Sequence, residues 1–297
     1  MDTAYLHSFL LVVECGSMSE AARRLDLTPA AVAQQIRTLE RELSAPLLAR
    51  AGRTVQPTEA GHRLFSRAKS LLREVEEIKA LLGSDASGGE LLVGTINTAL
   101  HSLLPAILMR FVTTHPDVKV FLQSGTTPGL YKAVQTGELD AAVCLYPSFA
   151  LAKTFNWKLL RKEPLVLLAP RRLAGRDPHE LLRTSPLIRY DRALGGGKQA
   201  DRYIRSAGIV PKERFELSSL LAIAMMVDRG LGVSVVPDIA SPLLEGQRIA
   251  KITLPLPSEA RQFGILWLRS SARLRLIQDF VEGAGMVIET TEARQGS

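Results

Sequence analysis

Cysteine is nearly missing from this chain of 297 residues: there are two, Cys15 and Cys144. They are too few and too far apart for the disulfide framework that staples small extracellular domains. Histidine is almost as sparse, with five, and His179-Glu180 lacks the second histidine of a zinc-binding helix because Arg183 stands in its place. No metal or other cofactor is expected from so scattered a set of ligands. Long apolar runs are absent as well, since nothing approaches the roughly 20 consecutive apolar residues of a bilayer span. The N-terminal MDTAYLHSF has no basic segment leading into an apolar one, so no signal peptide is read and the cytoplasm is the expected location. A convergent catalytic set is also missing. Gly195-Gly196-Gly197-Lys198 is followed by Gln199 where a phosphate loop needs Ser or Thr, and Arg192 stands where its first glycine should be. That stretch is read as a flexible loop, and the chain is not expected to be an enzyme.

What is present is an ordinary globular composition, 46% hydrophobic and 23% charged, on a length that accommodates two or three domains. The net charge is +7, which suggests a polyanionic partner, but its distribution is uneven. Residues 1–90 hold 11 Lys/Arg against 12 Asp/Glu, and the remainder holds 26 against 18. Any nucleic-acid contact in the first part must therefore rest on local placement of Arg23, Arg24, Arg37, Arg50 and Arg53. The basic second part suits either an anionic small ligand or simply a solvated surface of arginines.

The stretch Gly16 to Arg53 carries the sharpest pattern. Ala21, Ala22 and Leu25 give one short helix its apolar face, while Val32, Ile36, Leu39 and Leu43 recur at intervals of four, three and four in a second. The second helix thereby keeps Ala30, Ala33, Gln34 and Arg37 on a separate face, the layout of a helix-turn-helix. Thr28 before Pro29 is a helix start, and Ser17 and Ser19 can each cap the helix before it. Leu6, Phe9, Leu10 and Val13 predict an initial helix from Tyr5 to Glu14. Leu47 to Pro57 reads as a ribbon turning at Ala51-Gly52, a wing carrying Arg50 and Arg53. From this layout Ser19, Thr28, Pro29, Ala30, Gln34, Gln35, Arg37, Arg50 and Arg53 are the expected DNA contacts. Gln34 and Gln35 either read an adenine edge by paired hydrogen bonds or face solvent.

A long helix is expected to begin at Thr58-Glu59-Ala60-Gly61. Leu64, Ala68, Leu71, Val75, Ile78 and Leu82 form a heptad seam on it, and a helix of this length, about 37 Å, exceeds what a small domain can cover. The seam is read as a dimerisation surface that would present two recognition helices to a pseudo-palindromic site. Gly83 to Gly89 is a linker. Beyond it strands and helices alternate, which indicates parallel, doubly wound α/β units. The expected strands are 90–96, 118–124, 140–145, 165–169, 187–190, 214–217, 233–236 and 262–269. Helices are expected at 103–114, 127–136, 198–207, 219–229 and 274–281, with a disordered tail after about Glu289. The domain reading is a winged helix-turn-helix at 1–58, a dimerisation helix at 59–82, a linker at 83–89 and an effector domain at 90–297. That last domain divides into one α/β subdomain at about 90–161 and 264–290 and a second at about 162–263.

This order, with Phe9, Gly16-Ser17, Ala21-Ala22, Leu25, Thr28, Val32, Gln35-Ile36, Leu39-Glu40, Leu47-Leu48, Arg50, Thr58 and Ala60-Gly61, resembles the LysR-type transcriptional regulators. His115-Pro116, Gly137-Glu138-Leu139-Asp140, Gly230-Leu231-Gly232 and Val236-Pro237 extend the likeness over nearly the whole chain. The departures are Ala33 and Gln34, where the family usually has a serine and often an arginine, and Leu48-Ala49, where a phenylalanine is common. The resemblance implies a periplasmic-binding-protein-like effector domain of two Rossmann-like subdomains, homodimers or homotetramers, double-stranded DNA and RNA polymerase as partners, and no membrane. In doubly wound sheets ligands sit beyond the carboxyl ends of strands. That rule selects Thr95, Asn97, Thr98, Gln123, Ser124, Gly125, Thr126, Cys144, Tyr146, Tyr190, Ser218 and Ser219 as effector-binding candidates, suited to a small polar or anionic metabolite. Each Ser or Thr among them can alternatively cap its helix, and Cys144 reads as a buried strand thiol or a redox sensor. A solute-binding protein without DNA function is the alternative reading.

Overall fold

The computed structural model describes residues 2–51, 54–82, 89–239, 241–244, 246–271 and 273–295. Arg53 therefore lies outside the described residues, as does most of the expected linker. The chain divides into two compact units, one of residues 1–90 with 117–119 and 132–140, the other of the remainder.

The first unit opens with three helices, α1 (Thr3–Cys15), α2 (Met18–Arg24) and α3 (Pro29–Leu43). Each start is capped by a side-chain oxygen, so the first-turn amides are not left unpaired. Asp2 accepts from Ala4 N, Ser17 from Glu20 N and Thr28 from Ala31 N. Gly16 ends α1 with φ of 62°, the left-handed conformation that glycine adopts without a Cβ penalty. Leu6, Phe9, Val12, Ala21, Ala22, Val32, Ile36 and Leu39 interlock as one core. The ribbon β1 (Leu48–Ala51) and β2 (Thr54–Pro57) follows, then α4 (Glu59–Leu82). Gly61 on α4 packs directly against the ribbon base: a Cβ there would sit 2.1 Å from Leu47 O.

The next elements are β3 (Glu90–Thr95), α5 (Asn97–Leu100), α6 (Leu104–Thr114), β4 (Lys119–Ser124), α7 (Thr127–Thr136), β5 (Ala141–Leu145) and β6 (Phe155–Glu163). They are followed by β7 (Leu165–Pro170), α8 (Pro178–Thr184), β8 (Pro186–Tyr190), α9 (Gly195–Ser206), β9 (Lys212–Leu217), α10 (Leu220–Asp228) and β10 (Ser234–Pro237). The chain closes with β11 (Ile249–Thr253), β12 (Arg261–Leu268) and α11 (Leu274–Gln295). One sheet has the order β4-β3-β5-β12-β6. Strand β12 returns to it from the second half of the chain, and α11 then packs on α6, with Phe280 set edge-on to Phe111 at 5.5 Å.

The second half centres on β7, flanked by β10 and β11. Every residue of β7 is buried, because Leu165, Leu167 and Ala169 enter one apolar core and Val166 and Leu168 the other. That explains why its sequence, LVLLAP, is an unbroken apolar run rather than an alternation. Strands β8 and β9 pair in parallel, and a bridge from Leu187 to Val233 ties them towards β10.

Four features differ from the sequence reading. The sheets are mixed, not wholly parallel: β3 and β5 run parallel, but β12 is antiparallel to β5 and β6, and β7 is antiparallel to both neighbours. Strands β6 and β11 and helices α5 and α8 were not anticipated. The three glycines at 195–197 are not a flexible loop but the first turn of α9. Gly196 and Gly197 leave no room for a side chain, since a Cβ would fall 2.7 Å from Tyr190 Cε1 and 1.9 Å from Asp191 O respectively. The expected tail is helical, α11 running to Gln295, because buried Ala284 and Ile288 continue the apolar face begun at Ile277 and Phe280.

Candidate functional site

On the first unit Val32, Ile36 and Leu39 of α3 enter the core, whereas Leu43, expected on the same face, is 38% exposed near the end of the helix; the opposite face is left for solvent. Thr28, Pro29, Ala30, Gln34 and Arg37 are exposed along it, as are Ser19 on α2 and Arg50 on β1. Gln35 is half-buried: the hydroxyl of buried Ser8 donates to its Oε1 at 2.5 Å, which fixes the orientation of the amide. Arg37 Nη2 donates to Gln34 Oε1 at 2.7 Å. Arg23 and Arg24 both clasp Glu20, at 2.8 and 3.3 Å, and the hydrogen bond from Arg23 holds the Glu20 carboxyl below its ordinary range.

The ribbon is held by bonds that the sequence did not announce. Glu40 Oε1 accepts from Leu47 N at 2.7 Å and Leu48 N at 3.2 Å. Val55 N donates to Gly16 O at 2.9 Å. Thr58 Oγ1 donates to Pro46 O at 2.7 Å and accepts from Gly61 N at 3.1 Å. The side chains of α3 and Arg50 are thus carried on elements whose separation is set by backbone-directed bonds. Glu40 was singled out in the sequence only within Leu39-Glu40, among the residues that carry the resemblance.

The seam on α4 divides. Leu64 packs against the first unit's core and Ala68 is buried in it, whereas Leu71 and Ile78 expose 37% and 58% of their surface and Val75 is half-buried. The side chain of Leu82 lies outside the described residues.

On the second unit, a pocket of about 90 Å³ gathers Asn97, Thr98 and His101 with Ser218, Ser219, Leu220, Leu221, Ile239, Ser241 and Leu244. Asn97 and Thr98 arrive on the short α5 beyond β3, and Ser219 is the N-cap of α10, accepting from Ala222 N at 3.2 Å. Thr98 Oγ1 is buried and, among the described residues, has no hydrogen-bond partner. Ser241 donates to His101 O, so one wall is joined to the other. His101, Ile239 and Ser241 were missed, although the rule that ligands gather beyond strand ends applies to β10 as well.

The remaining candidates lie elsewhere. Thr95 is fully buried, its hydroxyl donating to Ile96 O. Cys144 is buried in β5, where burial pushes its thiol up to about 12. Tyr190 is buried at the end of β8. Gln123, Ser124, Gly125 and Thr126 are exposed at the end of β4, and Tyr146 is 42% exposed, its ring edge-on to Trp157. Among the described residues no group of three His, Cys, Asp or Glu could hold a metal ion, and no helix is long and apolar enough to cross a membrane.

Two family descriptions cover this architecture. Residues 4–62 match "Bacterial regulatory helix-turn-helix protein, lysR family" and residues 84–285 match "LysR substrate binding domain". The chain belongs to the LysR family. It is 30% identical over 242 residues to the HTH-type transcriptional regulator CzcR of Bacillus cereus, covering 81% of each chain. It is 28% identical over 280 residues to the HTH-type transcriptional regulator IlvR of Caulobacter vibrioides, covering 92% of this chain and 94% of that one. Among solved structures, full-length OxyR from Pseudomonas aeruginosa aligns with a TM-score of 0.68 at 23% identity over 96% of this chain and 94% of that one. Full-length CbnR in complex with its target DNA aligns at 0.64 and 22% over 97% and 100%; these two likenesses establish the fold. As a LysR-family transcriptional regulator with an effector-binding domain, the chain gives the solute-binding alternative no support.

Proposed function

We propose that this LysR-family chain works as a homodimer or homotetramer that reads a pseudo-palindromic promoter site and responds to a small polar or anionic metabolite. In this reading the exposed face of α3 enters the major groove, with Gln34, Gln35 and Arg37 at base edges and Arg50 and Arg53 at phosphates. Exposed Leu71 and Ile78 and half-buried Val75 on α4 meet a second copy and set the separation of the two α3 helices. The effector occupies the pocket at Thr98, in the cytoplasm, and biases the oligomer between arrangements that present the DNA-reading pairs differently to promoter and RNA polymerase.

The observation that carries the effector assignment is the unpartnered hydroxyl of Thr98 inside a pocket otherwise furnished with Ser218, Ser219, Ser241 and His101. A buried hydroxyl without a partner costs about 1–3 kcal/mol, which a ligand able to pair with it recovers. The test is a thermal-shift screen of small carboxylates, amino acids and aromatic acids on wild type and Thr98→Phe. A compound that raises the wild-type Tm, leaves Thr98→Phe unmoved and alters binding to an operator selected from random duplex DNA supports the reading. An equal shift in both proteins rejects the pocket.

A further inference from the structure

The pocket at Thr98 is selective in what its lining omits. Among the described residues that line it there is no Lys, Arg, Asp or Glu, and His101 is the only side chain able to ionise. Its polar groups are otherwise hydroxyls and one amide, set against an apolar wall of Leu220, Leu221, Ile239 and Leu244. Leu220 and Ile239 are buried, and Leu221 and Leu244 are half-buried. The volume, about 90 Å³, is below the roughly 150 Å³ of a cavity that takes up benzene, so the group enclosed is small.

Charge is limited from both sides. Helix α10 starts at the pocket with Ser219 as its N-cap, and its first turn carries no acidic residue. The positive end of a helix is equivalent to about half an elementary charge, which favours one carboxylate and is too little for two. A second carboxylate, or the ammonium of an amino acid, would leave water without a charged partner in the described lining, and that is costly. The buried Thr98 Oγ1, unpartnered among the described residues, offers a hydroxyl to one carboxylate oxygen. The leucine and isoleucine wall offers the rest of a ligand only apolar contact.

We propose that this pocket takes a short aliphatic monocarboxylate, with its carboxylate at Thr98 and the first turn of α10 and its chain on Leu220, Leu221, Ile239 and Leu244. The same chemistry turns away dicarboxylates, phosphate esters and amino acids. The proposal rests on the reading of the pocket as the effector site and narrows it by charge and size.

The full-length protein is titrated with isovalerate, acetate, succinate, valine and isovaleramide at one pH and ionic strength, and affinity is read by calorimetry and Tm. Isovalerate is expected to bind. Succinate and valine, which bring a second carboxylate or an ammonium on a frame of similar size, should bind roughly a hundred-fold more weakly. Acetate, lacking the chain, should be weaker by roughly ten- to fifty-fold, and isovaleramide, lacking the charge, by roughly ten-fold. Thr98→Val keeps the shape and removes the hydroxyl. It should weaken isovalerate roughly ten-fold without lowering the Tm of the free protein, because no existing partner is lost. Succinate or valine binding as tightly as isovalerate, and failing to bind Thr98→Phe, overturns the charge assignment and leaves the pocket standing. A wild type indifferent to isovalerate overturns the proposal alone, since the wider screen still decides the pocket. Isovalerate binding unchanged in both Thr98 variants puts the ligand elsewhere and overturns the effector reading as well.

Discussion

Replacing Glu40 with alanine is expected to loosen the β1–β2 ribbon while the three-helix core stays folded. Its Oε1 lies 2.7 Å from Leu47 N and 3.2 Å from Leu48 N, and hydrogen bonds to a charged group contribute about 1.5–3 kcal/mol each. The two bonds share one oxygen, the second is long, and the carboxylate is half-exposed, so the pair is better taken as about 2 kcal/mol in all. Leu47 is buried, and its amide gains little from water once the carboxylate is gone. Two kcal/mol corresponds to roughly thirty-fold faster opening, readable as hydrogen exchange of the segment 45–58 in the full-length protein. Glu40→Gln keeps an acceptor oxygen and loses only the charge, so its exchange should rise by roughly five-fold. Affinity for a selected operator should fall in the same order, because the ribbon carries Arg50. If Glu40→Ala exchanged within about two-fold of wild type, the ribbon would be held by the Gly16 and Thr58 bonds alone and the reasoning would fail.

Three further outcomes are expected. Leu71→Asp combined with Val75→Asp should give monomers in sedimentation velocity while the core around Phe9 stays folded; an intact oligomer would remove α4 from the interface. Cys144 should resist alkylation in the native protein at pH 8, as read by mass spectrometry, while half-buried Cys15 reacts. Because burial raises the Cys144 pKa from 9.0 to about 12, the folded state holds its proton longer than the unfolded chain. The linked stability is complete below pH 9 and is lost as the pH rises towards 12; native labelling of Cys144 at pH 8 would contradict its burial. Phe9→Ala should destabilise the first unit by about 3–5 kcal/mol, since Phe9 is fully buried at the centre of the helical core; a loss under about 1 kcal/mol on denaturant melting would mean the core collapses around the gap.

The first unit was legible because its signals are local. Thr28-Pro29, Ser17 and Gly16 specify helix ends within four residues, and the spacing of Val32, Ile36 and Leu39 specifies a buried face without reference to the rest of the chain. The second unit was legible in part. Strand β7 could be read because its apolar run needs no partner to be recognised, but β6, FNWKLLRKE, is an edge strand with a bulge opposite Phe263 and Gly264, and its irregular burial erased any alternation. Strand direction was misjudged because antiparallel β12 joins β5 and β6 from more than 90 residues away, which no local pattern encodes. The pocket was half found: Thr98 and Ser219 follow strands whose ends were searched for polar groups, whereas Ser241 lies four residues beyond β10, an expected strand whose end was not searched. Gly195 to Gly197 were misread because three glycines look like a loop until the packing surface they must approach is known.

The near-neutral charge of the first 90 residues gains a more specific meaning from the ion pairs. Two of its cations, Arg23 and Arg24, share the single negative charge of Glu20, and Arg37 is tethered to Gln34 rather than to a carboxylate. Such a surface attracts a phosphate backbone weakly, so a single copy would gain little sequence-independent affinity from it. In the proposed reading, discrimination comes from groups whose orientation is fixed in advance, such as Gln35, held by buried Ser8. A fixed amide costs little further ordering on contact and accepts only the base edge that matches it. Holding two such copies at a set distance multiplies that selectivity without adding charge. The seam on α4, of which Leu71 and Ile78 remain exposed, is therefore as much a part of the proposed recognition apparatus as the helix that would enter the groove.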